Sequence, residues 1–197
     1  MCTGHRVSAL TDLPSHCDSA WVQGGGLLGL YACAWLRHRG VQQVYCSDIQ
    51  PQRLDLVADF GGLPVLGDDA NWSRSRERMH VECPGGVDLV VEVTGSASVV
   101  PPGVQMLRPG GMYVWAGMVH PETVLQLTGE AVIRKCLTIR GMHNYSPLHL
   151  AKAQFPRIHP AQAALRKAGQ PGPAARLPGG GVSLTRSRVW QRVAVKP

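Results

Sequence analysis

Residues 21–53 read WVQGGGLLGLYACAWLRHRGVQQVYCSDIQPQR, and the reading of this stretch decides the fold. A short apolar run, Ala20-Trp21-Val22, meets Gly24, Gly26 and Gly29 in G-x-G-x-x-G spacing. An apolar, helix-compatible run from Leu27 to Leu36 follows, closed by Arg37, His38 and Arg39 before Gly40. A second β-rich run, Val44-Tyr45-Cys46, then leads to Asp48, nineteen residues beyond Gly29. Three glycines alone would be a weak signal in a chain with 23 of them, since a plain Gly-rich loop also holds three. The strand before, the helix after and the acid downstream are what point to a nucleotide.

Each part has a physical job at a dinucleotide site. Gly24 lets the chain turn sharply off the strand, Gly26 lets backbone N–H groups approach a pyrophosphate, and Gly29 lets the helix pack close to the sheet. The helix opening at Leu27 supplies amides without intrahelical acceptors, and partial positive charge, for the anion. Asp48, ending the second strand, is set to accept hydrogen bonds from the adenosine ribose hydroxyls. It would also repel a 2′-phosphate, so the expected cofactor is NAD rather than NADP.

Outward from this unit, residues 1–18 lack periodicity and read as a loose lead-in. From about residue 19, short β-branched runs alternate with helix-compatible stretches, the pattern of a parallel sheet covered by helices. Pro51 suits a helix's first turn, with Leu54, Leu56, Val57 and Phe60 as the apolar face before Gly61-Gly62. Leu63–Leu66 is a third strand, and the polar stretch 68–80 a surface helix. Val87–Val93, VDLVVEV, is the clearest strand and ends at Thr94-Gly95. A helix over 97–107 is delayed by Pro101-Pro102. RPGG at 108–111 reads as a turn, Met112–Met118 as a fifth strand, Val132–Cys136 as a short helix and Leu137–Gly141 as a sixth strand. The fold expected over 19–150 is α/β, a six-stranded parallel sheet with helices on both faces.

Residues 151–197 differ in kind. They hold nine Lys and Arg and no acid, while residues 1–150 hold 11 against 13 acids, so the tail carries all of the net +7. With six prolines and five glycines it reads as an irregular basic tail, with Val189–Val195 as a candidate terminal strand. Such a tail could meet nucleic acid or an anionic membrane surface, or simply be a solvated segment. One Trp and one Phe, without a stacking or groove-reading motif, argue against specific nucleic-acid recognition.

The totals exclude several classes. No apolar run approaches the ~20 residues of a membrane span. The first residues lack the order of a signal or transit peptide, so a cytoplasmic protein is expected. The six cysteines form no C-x-x-C pair, and Cys33 and Cys46 sit in apolar runs, which argues against a disulfide framework. His5, His16 and Cys17 fit no closed zinc spacing.

The segments VQGGGLLGLYACAWLRHRGVQQVYCSDIQPQRLDLVADFGG, VDLVVEVTGS, LRPGGMYVWAGMVHP and IRKCLTIRGMHNY resemble the Rossmann-type nucleotide-binding domain of zinc-dependent medium-chain dehydrogenases. Alcohol, sorbitol and threonine dehydrogenases are the nearest named groups. The resemblance runs from about 20 to 150, and RVAVKP at the end is similar to the family's C-terminal strand. It implies that Gly24, Gly26, Leu27 and Gly29 meet the pyrophosphate, and that Leu28 touches either the pyrophosphate or the nicotinamide ribose side. It implies that Asp48 and Arg53 meet the adenosine end, and that Thr94 lies beside the cofactor. Ala116, Gly117, Met118 and the turn Met142-His143-Asn144 would approach the nicotinamide. Met118 and Met142 are equally readable as core, and His143 as a polar loop residue.

The departures bear on chemistry. In the family a β-rich domain ahead of the glycine motif carries the catalytic zinc and its Cys, His and Glu ligands. Only 23 residues precede Gly24 here, and Cys17 lies too near the motif to act as a late ligand. Zinc normally lowers the pKa of the bound alcohol so that an alkoxide can form. The expectation is therefore NAD(H) binding without a metal site or catalytic residues of its own. Two alternatives stand beside it: a binding or regulatory protein, or a subunit completed by a full-length dehydrogenase. Homodimer or heterodimer pairing is expected at the sheet edge, near Leu137–Met142.

Overall fold

The computed structural model describes residues 13–14, 16–67, 71–117, 124 and 126–142. Met118, His143, Asn144 and the whole tail, with its candidate strand at 189–195, lie outside the described residues.

In chain order the elements are β1 (Ser19–Gln23), α1 (Leu27–His38), β2 (Gln43–Asp48), α2 (Pro51–Leu54), β3 (Leu63–Leu66) and α3 (Trp72–Glu82). They continue with β4 (Val87–Glu92), α4 (Val100–Met106), β5 (Leu107–Trp115), α5 (Gly129–Arg134) and β6 (Thr138–Gly141). The strands form one sheet in the order β3-β2-β1-β4-β5-β6, every neighbouring pair parallel. This is the doubly wound Rossmann-type arrangement: the chain builds outward from β1 to β3, then returns to lay β4 on the other side of β1.

Strand periodicity sorts the core into two layers. Ala20, Val22, Val44, Cys46, Leu89 and Val91 face one side, where Leu30, Cys33 and Leu36 of α1 cover them with Val57 and Phe60. Trp21, Tyr45, Val87 and Val90 face the other, beneath Met79 of α3 and Val100, Val104 and Met106 of α4. Cys33 and Cys46 are fully buried, as expected of small apolar side chains. Among the described residues, no helix is long and apolar enough to cross a membrane. Leu13 and Cys17, from the lead-in, are half-buried against the first layer.

Several boundaries differ from the sequence reading. The helix opened by Pro51 stops at Leu54 and tightens into a 3₁₀ turn at Ala58–Phe60, yet Val57 and Phe60 are still buried. Gly62 donates to the Val57 carbonyl at 2.9 Å and turns the chain into β3. Pro101-Pro102 occupy the first turn of α4, where the missing N–H groups cost nothing. The fifth strand begins at Leu107, not Met112: Val87 pairs with Leu107, then Leu89 with Met112, so RPGG is an outward bulge within the strand. Asp88, on β4 beside that bulge, ion-pairs Arg108. The strand ends at Trp115, because the amides of Ala116 and Gly117 both turn to the Glu92 carbonyl at 3.0 Å. α5 starts earlier than expected, at Gly129, capped by Thr128, whose hydroxyl accepts the Ala131 amide at 3.2 Å.

The amino ends of the strands are tied by Asp88. One carboxylate oxygen accepts the amides of Asp18 at 3.0 Å and Ser19 at 2.9 Å and the Ser19 hydroxyl at 2.8 Å. The other oxygen holds Arg108. Burial alone would raise the Asp88 pKa, but Arg108 and Ser19 more than offset it and hold the carboxyl below its usual range.

Candidate functional site

At the carboxyl ends of the strands, where the strand order reverses between β1 and β4, lies a crevice of about 710 Å³. This is the position at which open α/β sheets take ligands. Its walls include Gly24 and Gly26 from the turn after β1, Asp48 from the end of β2, Arg53 from α2, and Thr94 and Ser96 from the turn after β4. Trp21 and Trp72, stacked with ring centroids 5.1 Å apart, floor one side.

The three glycines act differently, and the structure shows why. Gly24 has φ +114°, a conformation that L side chains rarely adopt. A side chain at Gly29 would land on the carbonyl oxygen of Gly24, so glycine lets α1 pack directly on the turn. Gly26 has an ordinary extended backbone, and a Cβ there would meet no protein atom within 4 Å. Neither strain nor crowding requires glycine at 26; a side chain would only occupy space on the crevice wall. α1 begins next to it, with no side-chain cap and no acid in its first turn, so its leading amides remain available to an anion.

Asp48 is largely buried, at 8% exposure, yet lines the crevice. Its Oδ2 accepts the Gly25 amide at 2.9 Å and faces Arg53 Nη1 at 3.3 Å, while Oδ1 accepts the Gln50 amide at 2.9 Å. An ionised carboxylate offers about four lone-pair sites, so these three bonds leave capacity for a ligand hydroxyl. The arrangement fits a nucleotide by this chain's own atoms: an open cradle at Gly26, free helix amides, and a fixed carboxylate beside an arginine.

The remaining candidates fall elsewhere. Gly24, Gly26, Asp48, Arg53 and Thr94 share the crevice, but Leu27, Leu28, Gly29, Ala116, Gly117 and Met142 do not line it. Leu28 and Met142 pack, half-buried, against the α1-side core. Ala116 and Gly117 follow β5, bonded to the end of β4.

Sequence reasoning passed over Glu92. It is fully buried at the end of β4, and its Oε1 accepts the amides of Thr94 and Gly95, each at 2.6 Å, and the Thr94 hydroxyl at 2.8 Å. The signal was an acid at the carboxyl end of an apolar-rich strand, two residues before Thr94-Gly95. Gln23 was also missed: 1% exposed, it donates to the Val99 carbonyl at 2.7 Å and accepts Tyr113 Oη at 2.6 Å, fixing the crevice floor.

No group of three His, Cys, Asp or Glu side chains that could hold a metal ion occurs among the described residues. Cys17 precedes β1, at the end of the strand opposite to the glycine turn. Burial, reinforced by Asp88 and Asp18, pushes its thiol up to about 12, so it rests as a neutral thiol. The described residues therefore do not fit a zinc centre.

The zinc-binding dehydrogenase family profile matches residues 28–160. A probable D-xylulose reductase A of Aspergillus clavatus is 32% identical over 133 residues, covering 65% of this chain and 36% of its own length. An alcohol dehydrogenase from Thermotoga maritima superposes with TM-score 0.86 at 23% identity, covering 100% of this chain and 55% of that one. Two further structures share the fold. A zinc-binding dehydrogenase from Sinorhizobium meliloti 1021 with NADP has TM-score 0.64 at 20% identity, covering 83% of this chain and 48% of its own. An alcohol dehydrogenase from E. coli CFT073 with NADH has TM-score 0.65 at 17% identity, covering 79% and 46%. The chain spans about a third of the length of the curated relatives it matches. With two-thirds of its residues inside the family profile and the strand order of a doubly wound sheet, the chain belongs to the zinc-binding dehydrogenase family.

Proposed function

We propose that this chain is the NAD(H)-binding domain of an alcohol- or polyol-dehydrogenase-type oxidoreductase. The observation that carries the reading is the side-chain-free opening at Gly26, which shares the crevice wall with the Asp48 carboxylate and directly precedes the uncapped start of α1. The pyrophosphate rests on the amides of Leu27, Leu28 and Gly29, and Asp48 and Arg53 grip the adenosine ribose. Thr94 borders the middle of the cofactor. Ala116, Gly117, Met118, Met142, His143 and Asn144 belong to the nicotinamide side. When bound, the nicotinamide supplies hydride chemistry; this chain's residues bind and orient it.

NAD is preferred to NADP because a 2′-phosphate would lie against a carboxylate already fixed by backbone amides. Solved structures with NADP and with NADH share this fold, so the preference proposed here rests on the Asp48 carboxylate and not on the fold. The described residues hold no zinc donor set, and by this reading the chain alone oxidises little or no alcohol.

A second reading rests on β6, an edge strand whose Thr138 and Gly141 are exposed. An edge strand presents hydrogen-bonding groups on one side. A second copy, or a full-length dehydrogenase contributing zinc ligands, would pair there. Native mass spectrometry of the purified chain tests both readings. Bound dinucleotide without zinc supports the first, and a complex carrying zinc and a longer dehydrogenase chain supports the second. A nucleotide-free monomer that gains no mass on adding NADH contradicts both.

A further inference from the structure

Two backbone turns, after β4 and after β5, meet at the carboxyl end of the sheet, and the first brings Thr94 to the crevice wall. They touch closely: a Cβ at Gly117 would lie 2.6 Å from the Val93 carbonyl carbon and 2.7 Å from the Gly95 nitrogen. One side chain bridges them. Glu92 Oε1 takes the Thr94 and Gly95 amides and the Thr94 hydroxyl, and Oε2 faces the Gly117 amide at 3.3 Å. The Glu92 main-chain carbonyl also accepts the Ala116 and Gly117 amides at 3.0 Å. A fully buried carboxylate is costly unless hydrogen-bonded, and here its donors come from these two turns. Glu92 itself does not line the crevice, whereas Thr94 does.

We infer that Glu92 is a positioning residue: it locks the turns at 94–95 and 116–117 into the seat for the half of a dinucleotide beyond its adenosine diphosphate. The inference rests on the NAD(H) reading, but concerns only that half. The adenosine half is held by the glycine turn and Asp48, whose carboxylate bonds Gly25, Gln50 and Arg53 and not the turns that Glu92 holds.

Glu92→Gln separates the two. A glutamine oxygen can still accept from Thr94 and Gly95, but its NH₂ meets the Gly117 amide donor to donor. Calorimetric titration of the full chain with NADH and with ADP is the test. Glu92→Gln is expected to weaken NADH about tenfold and leave ADP within about twofold, the loss of one buried charged hydrogen bond. Gly117→Ala, which pushes the same turns apart without touching the carboxylate, should give the same split; it also serves if Glu92→Gln fails to fold. Equal weakening of both ligands, or no change in either, overturns the inference. A wild-type chain that binds neither ligand removes the nucleotide reading itself and this inference with it, a result distinct from those two.

Discussion

Oδ2 of Asp48 accepts the Gly25 amide at 2.9 Å, so the acid ending β2 and the glycine turn after β1 are directly bonded. The carboxylate that would hold the sugar thereby also shapes the turn that would hold the phosphates. With Gln50 and Arg53 as its other partners, Asp48 points at a fixed angle into the crevice.

Replacing Asp48 should therefore change cofactor choice as well as affinity. Asp48→Ala removes the charge facing a 2′-phosphate and frees Arg53 to meet it. The ratio of NADPH to NADH affinity is expected to rise about tenfold or more, read from paired titrations. The variant should also lose about 1–3 kcal/mol of stability, because the Gly25 and Gln50 amides lose their acceptor. An unchanged ratio would show that the acid does not select the cofactor.

The glycines should separate by phenotype. Gly26→Ala is expected to melt within about 0.5 kcal/mol of wild type, since its Cβ meets no protein atom within 4 Å, yet to lose nucleotide binding. Gly29→Ala, whose Cβ lands on the Gly24 carbonyl, should lose about 3 kcal/mol or more or fail to fold. Urea unfolding beside NADH titration reads both, and a Gly26→Ala variant that binds normally would argue against phosphate contact at this turn.

Acid sensitivity should trace to the opposite end of the sheet. The Asp88 carboxyl is held below its usual range in the fold, burial being outweighed by Arg108 and Ser19. Its contribution is thus present above the unfolded-state pKa of about 3.9 and is lost as pH falls through the lower folded-state value. Asp88→Asn should be less stable than wild type at pH 7 by about 1–3 kcal/mol. The gap should narrow as pH drops below about 4. A gap that stays constant from neutral to acid pH would remove Asp88 from this role.

Much of this was legible because local patterns and global fold agree. The strand over 87–93 and the alternation of Ala20, Trp21 and Val22 between two cores could be read from side-chain period alone. Gly24, Gly26 and Asp48 were legible because their spacing encodes a turn and a helix start that physics restricts. What stayed hidden depended on contacts distant in sequence. The bulge at RPGG is accompanied by an ion pair from Arg108 to Asp88, twenty residues away. Glu92 looked like an interruption in an apolar run until the turn at Gly117 was brought beside it. The Trp21–Trp72 stack joins residues from β1 and α3, and no local pattern announces it.

The central claim is that the crevice at the β1–β4 switch point takes a dinucleotide, and a fluorescence titration of the full 197-residue chain with NADH tests it most directly. The expected result is a saturable change in NADH emission, at lower concentrations than for NADPH, and much weakened by Gly26→Ala. No change with either cofactor up to about millimolar concentration would contradict it.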